Sequence, residues 1–444
     1  MKRRTILAAA AALPAAGLAR AGHAQTKTKI NFWHAFTGPL GEELKKVANG
    51  FNASQNEVEL ELIFKGTYPE TLTAAIAAWR AGQAPHLVQM FEVGTGSMLA
   101  AGPAVKQVWQ LSQETGIPLD PNGYLAGVRG YYSLADGRLA SMPFNSSTSV
   151  MWYNKDAFEK AGLDPEKPPT TWSQVVDAAR IIKAKNAANI PVTTAWFTWV
   201  QLEQYGAMHD VPYATKANGF EGLETELKIN TAPYVKHLTR LLEMAREGTF
   251  KYGGRDNAPE PLFNAGEAAI SFTSSAARAA ITREAKFKFA AAYLPTDPEI
   301  NPAPNNSIIG GASLWTMTAP SRTPAEYKAV AMFFKYLANP EVDAAWHQAT
   351  GYVPVTLGGY EASLKQGYYQ KAPGTDLPIK QLTRGKLTEN GRGFRLGRMP
   401  EIRNIIYEEV EKALQGQQTA QGALDSVVTR GNVVLRAFEK ATKG

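Results

Sequence analysis

Cysteine is absent from this 444-residue chain. Disulfides, thiolate metal sites, cysteine nucleophiles and an acylated N-terminal cysteine are therefore all excluded. No two of the six histidines have the i, i+4 spacing of a helical zinc pair, and the motifs HExxH, GxSxG, GxxxxGK[ST] and GxGxxG are missing. The sequence thus predicts no metal, no cofactor and no enzyme activity. A carboxylate pair joined only by the fold stays open, although solvated surface acids are the more common case.

Long apolar runs are also missing beyond the N-terminus. The first 24 residues have a basic start at Lys2 to Arg4, an apolar core over 6–19 and the small-residue sequence Gly22-His23-Ala24. This is the pattern of a secretion signal that is cleaved after Ala24. A membrane anchor is disfavoured because Pro14 interrupts the core, which is shorter than the roughly 20 residues that span a bilayer. We expect a periplasmic protein that begins at Gln25 and is free in solution, exported by the general or the twin-arginine route.

A large excess of one charge is absent too. The formal net charge is +7, and four of the positive charges, Lys2, Arg3, Arg4 and Arg20, lie in the signal, which leaves +3 for the mature chain. A charge this small argues against nucleic acid as a partner. It is compatible with a small anionic ligand held at one place.

What is present is an alternation of strand and helix patterns. "KINFWHAF" (29–36) and "VELELIFKG" (58–66) have the periodicity of strands, and "GEELKKVANGF" (41–51) between them has that of an amphipathic helix. A further helix and the apolar strand "HLVQMFEVGT" (86–95) complete an order typical of a parallel sheet. The pattern restarts after Trp152. The sequence therefore predicts two α/β units, with the polar run Asn145 to Ser149 at their junction.

Several stretches resemble a known family. "YNKDAFEKAGLDPEKPPTTWSQVV" (153–176) and "FNAGEAAISF" (263–272) resemble the extracellular solute-binding proteins of ABC importers, the family that includes maltose-binding protein. A subfamily resemblance, to glycerol-3-phosphate binders, rests on "INFWHAF", "FKGTYPETL", "FEVGTG", "PFNSST", "NNSIIGGASLW", "WHQATGYVP" and "FRLGRMPEIR", which occur in this order. The similarity covers nearly the whole mature chain.

The resemblance implies the type II periplasmic binding protein fold, an α/β fold of two lobes joined by crossing strands with the ligand in the cleft between them. Residues 25–143 and 288–320 would form the N-terminal lobe, and residues 144–287 and 321–444 the C-terminal lobe. The crossings would lie at Phe144 to Val150, near Phe287 to Ala292 and near Thr318 to Thr323. The polar run would then face the cleft.

The family's ligand contacts, carried over residue by residue, fall on seven positions, with Trp172 as an additional candidate. The seven are Tyr68, Glu92, Ser147, Ser274, Gly311, Tyr352 and Arg403. Their chemistry suits a phosphate ester: a guanidinium can grip two phosphate oxygens, and a helix start near Ser274 offers unpaired N–H groups. Glu92 would accept hydrogen bonds from the free hydroxyls of glycerol, with Tyr68 closing over the same end.

Each residue also has a plainer explanation. Ser274 or Ser275 would be an ordinary helix cap, and Arg403 a surface arginine. Gly311 would serve a bulge or a tight turn, and Ser147 and Tyr352 would be loop polarity. Trp172 would stack on the glycerol backbone or pack in the core.

The sequence thus predicts a receptor that captures sn-glycerol 3-phosphate and closes around it by a hinge motion. We expect a monomer that delivers the ligand to the permease subunits of an ABC importer, with a cytoplasmic ATPase completing the complex. The alternatives are a receptor for glycerophosphodiesters such as glycerophosphocholine, a receptor for an oligosaccharide, and, from another class, a secreted hydrolase.

Overall fold

The computed structural model describes residues 27–443. The predicted signal, residues 1–24, lies outside the described residues. None of the helices within 27–443 is both long and apolar enough to cross a membrane.

Eleven strands are present in the described chain. They are β1 (Thr28–His34), β2 (Val58–Phe64), β3 (Leu87–Phe91), β4 (Val105–Lys106), β5 (Met142–Ser147), β6 (Ser149–Asn154), β7 (Ile190–Thr194), β8 (Phe250–Tyr252), β9 (Ala268–Ser274), β10 (Phe289–Ala292) and β11 (Gly310–Met317).

Nineteen α-helices fall within the same residues. They are α1 (Gly38–Ser54), α2 (Tyr68–Arg80), α3 (Thr95–Ala100), α4 (Val108–Thr115), α5 (Ala126–Tyr132), α6 (Lys155–Ala161), α7 (Trp172–Ala184), α8 (Gln204–His209), α9 (Thr215–Gly219), α10 (Ala232–Arg246), α11 (Glu260–Asn264), α12 (Arg278–Glu284), α13 (Pro324–Leu337), α14 (Pro340–Thr350), α15 (Leu357–Lys365), α16 (Tyr368–Lys371), α17 (Leu377–Leu382), α18 (Met399–Leu414) and α19 (Ala420–Lys443). Short 3-10 helices span Glu92–Gly94, Gly102–Ala104, Pro121–Gly123 and Ser275–Ala277, and Thr198–Glu203 is a π-helix.

The strands form two sheets, one in each lobe. The first has the order β2-β1-β3-β11-β4, with β5 also paired to β11, and the second has the order β10-β6-β9-β7-β8. β1 runs parallel to β2 and β3, whereas β11 runs antiparallel to β3, β4 and β5. In the second sheet β7 is parallel to β8 and β9, and β6 is antiparallel to β9 and β10. Both sheets are therefore mixed, because a strand from a distant part of the chain joins each parallel unit.

The first crossing lies where the sequence predicted it. β5 ends in the first sheet at Ser147, β6 begins in the second at Ser149, and Thr148 joins them. All five residues from Asn145 to Ser149 are buried. The Thr148 hydroxyl donates to the backbone oxygen of Ile308 at 2.9 Å, which ties this crossing to the next one. The polar run is thus the buried connection between the lobes, and its hydroxyls and amides satisfy crossing backbone.

The later crossings differ from the predicted positions. β10, at 289–292, still pairs with β6 in the second sheet, so the chain returns to the first lobe over 293–309. After β11 the chain stays there, because α13 packs on β1: the ring of Phe333 lies 6.3 Å from Phe32 and 5.1 Å from Phe51. α14 packs on α1 in the same lobe.

The final return to the second lobe falls over 357–398 instead of 318–323. α18 and α19 pack against each other and against α10, a helix of the second lobe. The predicted assignment of 321–444 to the C-terminal lobe therefore fails for α13 and α14. The capping box at Thr323 correctly marks the start of α13, but a cap carries no information about which sheet the apolar face of a helix will cover.

Candidate ligand-binding site

A cavity of about 370 Å³ lies between the lobes. The first lobe contributes Ala35, Phe36, Thr37, Gly38, Pro39, Leu40, Phe64, Gly66, Thr67, Tyr68, Pro69, Phe91, Glu92, Ser147, Gly311 and Tyr352. The second lobe contributes Trp196, Trp199, Asp256, Asn257, Glu260, Ser274, Ala276, Ala277, Ala280 and Arg403. All seven residues predicted as ligand contacts line this one cavity, although they are spread over more than three hundred positions of the chain.

The floor of the cavity is backbone from the crossing strands. Gly311 pairs with Ser146 and Gly310 with Ser147 at the junction of β11 and β5. Gly311 has φ +87°, and a Cβ there would lie 1.8 Å from the backbone oxygen of Asn145. No other residue type fits that position without displacing backbone. The tight-turn and bulge explanations of this glycine and its place at the cavity are therefore compatible.

Ser274 lies where β9 ends and the helix Ser275–Ala277 begins. Its Oγ accepts a hydrogen bond from the backbone N–H of Ala276 at 3.1 Å, so the residue is the cap that the sequence indicated. The hydroxyl also faces the cavity and keeps its own proton available for donation. Capping and ligand contact are thus not exclusive.

Two tyrosines of the first lobe form one wall. Tyr68 opens α2, stacks on Phe91 at 5.4 Å between ring centroids, and accepts a hydrogen bond from Nδ2 of Asn145 at 3.1 Å. Tyr352 stacks on Trp346 at 5.9 Å. Burial raises the pKa of both phenols, so both stay protonated and can donate a hydrogen bond.

The charged centre of the site is Arg403, which is already engaged by two acids. Its Nε and Nη2 bond Oε1 and Oε2 of Glu203 at 2.8 and 2.6 Å, and Nη2 also bonds Oε1 of Glu92 at 2.6 Å. All three residues are buried. The guanidinium is therefore neither the surface group nor the fully free fork that the sequence allowed, and only part of it is left for a ligand.

The electrostatic balance of the cavity leans negative. Arg403 is the only lysine or arginine among the described lining residues, whereas Glu92, Asp256 and Glu260 also line it. Burial raises the pKa of Glu92, and Glu203 raises it further, against the opposing effect of Arg403. Burial likewise raises the pKa of Asp256 and of Glu260. Burial by itself would lower the pKa of Arg403, but the two glutamates hold it well above the ordinary value.

With this geometry in view, comparison with known proteins identifies the family. Residues 46–373 match the family model described as "Bacterial extracellular solute-binding protein". The chain belongs to the bacterial extracellular solute-binding proteins. It is 44% identical over 435 residues to the sn-glycerol-3-phosphate-binding periplasmic protein UgpB of Pectobacterium atrosepticum, covering 98% of this chain and 97% of the relative. It is also 44% identical over 431 residues to UgpB of Escherichia coli K12, covering 97% of each.

Solved structures confirm the fold class of this solute-binding protein. UgpB from Mycobacterium tuberculosis in complex with glycerophosphocholine superposes with a TM-score of 0.77 at 22% identity, covering 93% of this chain and 99% of that one. Maltose-bound MalE3 of T. maritima gives 0.74 at 17% identity, covering 92% and 100%. The family resemblance is likewise confirmed, and the family is one of binding proteins, as the sequence predicted, and not of enzymes.

Trp172 is the one predicted contact that this solute-binding protein does not place at its cavity. The side chain is buried in the second lobe, 4.6 Å from the ring of His237 and 5.1 Å from that of Phe272. Core packing, the plainer alternative, is what the structure shows. Thr171 caps the helix as predicted, and that position turns the adjacent indole inward.

The aromatic residues that do reach the cavity are Trp196 and Trp199, which sequence reasoning missed. Trp196 has φ +51°, and its backbone N–H donates to the backbone oxygen of Asp256 at 2.6 Å. Trp199 lies in the π-helix, with its ring against Gly310. The dense aromatic run "AWFTW" (195–199) was the available signal. Glu203, Asp256 and Glu260 were missed as well, because nothing in their sequence surroundings separates them from surface acids.

Proposed function

We propose that this solute-binding protein captures sn-glycerol 3-phosphate in the periplasm and delivers it to the permease of an ABC importer, which a cytoplasmic ATPase completes. The proposal is supported chiefly by the convergence of Tyr68, Glu92, Ser147, Ser274, Gly311, Tyr352 and Arg403 on one cavity. It also agrees with the name of the relatives that share 44% of its sequence over nearly their full length.

The cavity divides into a phosphate end and a glycerol end. At the phosphate end, hydroxyls of Ser147, Ser274 and Tyr352 donate to phosphate oxygens, together with the free edge of Arg403. At the glycerol end, Oε1 of Glu92 accepts from Arg403, which leaves Oε2 to accept from a ligand hydroxyl. Because several acids line the cavity, recognition rests on directed hydrogen bonds rather than on a surplus of positive charge.

Closure between the lobes accompanies binding. Arg403 of the second lobe bonds Glu92 of the first inside the cavity, and Arg283 pairs with Glu42 across its outer rim at 3.3 Å. A ligand held by both lobes stabilises this closed form relative to an open one. The segments around Thr148, over 293–309 and over 357–398 act as the hinge. We propose that a monomer in this closed state docks on the permease.

A second candidate ligand is a glycerophosphodiester such as glycerophosphocholine. The cavity volume is within the range of sites for larger ligands, and its second-lobe side carries two tryptophans and two acids that suit a cationic head group. The similar fold of a glycerophosphocholine complex agrees with this candidate. An oligosaccharide would leave the donors at the phosphate end without a charged partner.

Export is part of the proposal. The relatives are named periplasmic, and residues 1–24 have the pattern of a signal cleaved after Ala24. Mass spectrometry of the protein recovered from the periplasm should give a chain that begins at Gln25. A full-length mass in a membrane fraction would contradict this.

Isothermal titration of the mature chain tests the ligand. We expect saturable binding of sn-glycerol 3-phosphate, weaker or comparable binding of glycerophosphocholine, and none of maltose or free glycerol. Ser147→Ala should weaken binding by about 1 kcal/mol, the usual worth of one hydrogen bond. Ser149→Ala is the matched control, because Ser149 is equally buried but lies outside the cavity lining. Binding of maltose alone would keep the transport role and remove the ligand.

A further inference from the structure

We infer that Glu203 is a positioning residue for anion recognition: it fixes the guanidinium of Arg403 so that the Nη1 edge is the part left for a ligand phosphate. The inference rests on the proposed function and extends it to a residue that does not line the cavity. Glu203 acts through Arg403 and makes no contact with the ligand itself.

The arrangement of hydrogen bonds leaves one edge of the guanidinium open. An arginine has five N–H groups in a fixed planar fork. Nε–H and one Nη2–H bond the two oxygens of Glu203, and Nη2 also bonds Glu92. Within residues 27–443, Nη1 makes no hydrogen bond. Its two N–H groups are therefore available, and their direction is set by the bidentate grip on the opposite edge.

Glu203 is itself held firmly. It is fully buried and ends the π-helix Thr198–Glu203, a rare element that is common at functional sites. On one side of it, Gln201 bonds Thr194 and His237. On the other side, Gln204 makes two hydrogen bonds of 3.0 Å to the backbone of Ile308. A carboxylate anchored in this way fixes the position of its partner.

The two acids on Arg403 belong to different lobes, and this gives them different parts. Glu92 lies in the first lobe, and Glu203 and Arg403 both lie in the second. When the lobes separate, Glu92 moves away from Arg403, whereas Glu203 stays with it. Glu203 therefore keeps the guanidinium oriented in the open form, before a ligand arrives, which reduces the ordering that binding requires.

A purely electrostatic view makes the opposite forecast. Glu203 is a second negative charge close to an anion site, so its neutralisation would strengthen binding if charge alone mattered. If positioning dominates, neutralisation weakens binding. In Glu203→Gln the amide nitrogen replaces one acceptor and faces an Nη2 donor, so the bidentate grip is lost.

The experiment is isothermal titration of the mature protein with sn-glycerol 3-phosphate. We expect Glu203→Gln to raise the Kd by about tenfold or more, and Glu203→Asp, which keeps a shortened carboxylate, to lie between Gln and wild type. The matched control is Glu247→Gln: Glu247 grips Arg180 by the same Nε and Nη2 edge, at the surface. Its Kd should stay within about twofold of wild type.

The outcomes separate the inference from the proposed function. Unchanged or tighter binding by Glu203→Gln, with normal binding by wild type, overturns the inference. No binding by wild type overturns the proposed function instead. If thermal unfolding shows that Glu203→Gln does not fold, Glu203→Asp decides: a several-fold higher Kd supports positioning, and an unchanged Kd overturns it.

Discussion

Two arginines of the second lobe are paired with buried acids, and the two clusters are built differently. Nη2 of Arg240 bonds both oxygens of Asp297 at 2.8 and 2.9 Å, one cation to one anion. Arg403 faces two anions, Glu92 and Glu203, and a cavity. Formal charge is balanced in the Arg240 cluster and exceeds balance by one negative charge in the Arg403 cluster.

The surroundings of Arg240 complete its hydrogen bonding. Tyr205 donates to Asp297 at 2.7 Å, and the N–H of Asp297 donates to Nε2 of His209 at 2.8 Å. Nη1 of Arg240 lies 3.1 Å from Nδ1 of His237. A cluster closed in this way stabilises one packing of the lobe, whereas the open edge and uneven charge of the Arg403 cluster suit a partner that comes and goes.

The sharpest way to test this contrast is to remove Arg403. Arg403→Met leaves two buried carboxylates without a cation, which should cost about 3–5 kcal/mol of stability and abolish measurable binding of sn-glycerol 3-phosphate. Thermal unfolding and titration measure the two effects. Adding Glu203→Met should restore part of the stability but none of the binding. Recovery of binding in the double variant would contradict the role given to the guanidinium.

Breaking the Arg240 cluster should have a smaller effect, on stability alone. Asp297→Asn removes the negative charge that pairs Arg240 and should lower the free energy of unfolding by about 3 kcal/mol. The Kd for sn-glycerol 3-phosphate, measured well below the unfolding temperature, should stay within about twofold of wild type. A larger change in the Kd would show that the two clusters are coupled and that the division proposed for them is wrong.

The smallest expected effect is a pH dependence of affinity set by Glu92. Its pKa is raised above 4.5, mainly by burial, so it carries a proton over part of the range above that value. A bound anion favours the protonated form, so affinity should fall as the pH rises through this pKa. Glycerophosphocholine is the ligand to titrate, from about pH 5 to about pH 8, because its diester phosphate does not change charge there, unlike a monoester.

The control for this profile is Glu92→Gln, which should bind with little dependence on pH. Other groups near Glu92 should not contribute. Those groups are Arg403, Glu203, Tyr68, Tyr131 and Tyr132. Burial raises the pKa of the three tyrosines, and Arg403 remains charged. A profile that survives in Glu92→Gln would assign the proton to another cavity acid, such as Asp256 or Glu260.

The Arg240 cluster should respond to pH in the opposite sense. Burial lowers the pKa of His209, and burial together with Arg240 lowers that of His237, so both are neutral when folded. Below about pH 6.5 the unfolded chain binds protons that the folded chain refuses, and stability falls as the pH falls. For Glu92 the sign is reversed: the folded chain binds the extra proton, and stability falls as the pH rises above 4.5.

Sequence reasoning reached the fold and the cavity contacts through ordered short motifs. It found Ser147, Gly311 and Arg403 because each lies inside such a motif. It missed Glu203 because its partner is 200 positions away and a lone buried acid has no local pattern. The position of Trp172 beside a cap suggested an exposed ring, yet the first turn of α7 faces the core. The lobe to which α13 belongs depends on long-range packing, which an apolar stripe does not encode.

The π-helix has a consequence for how this region tolerates insertions and deletions. Thr198–Glu203 contains about one residue more per turn than an α-helix would over the same rise. Deleting a single residue there would restore regular winding and rotate the downstream helix α8 by about 100°. Glu203 would then point away from Arg403, while Gln204 would lose its register with Ile308. Chain length at this point is therefore as much a determinant of recognition as the identity of any side chain.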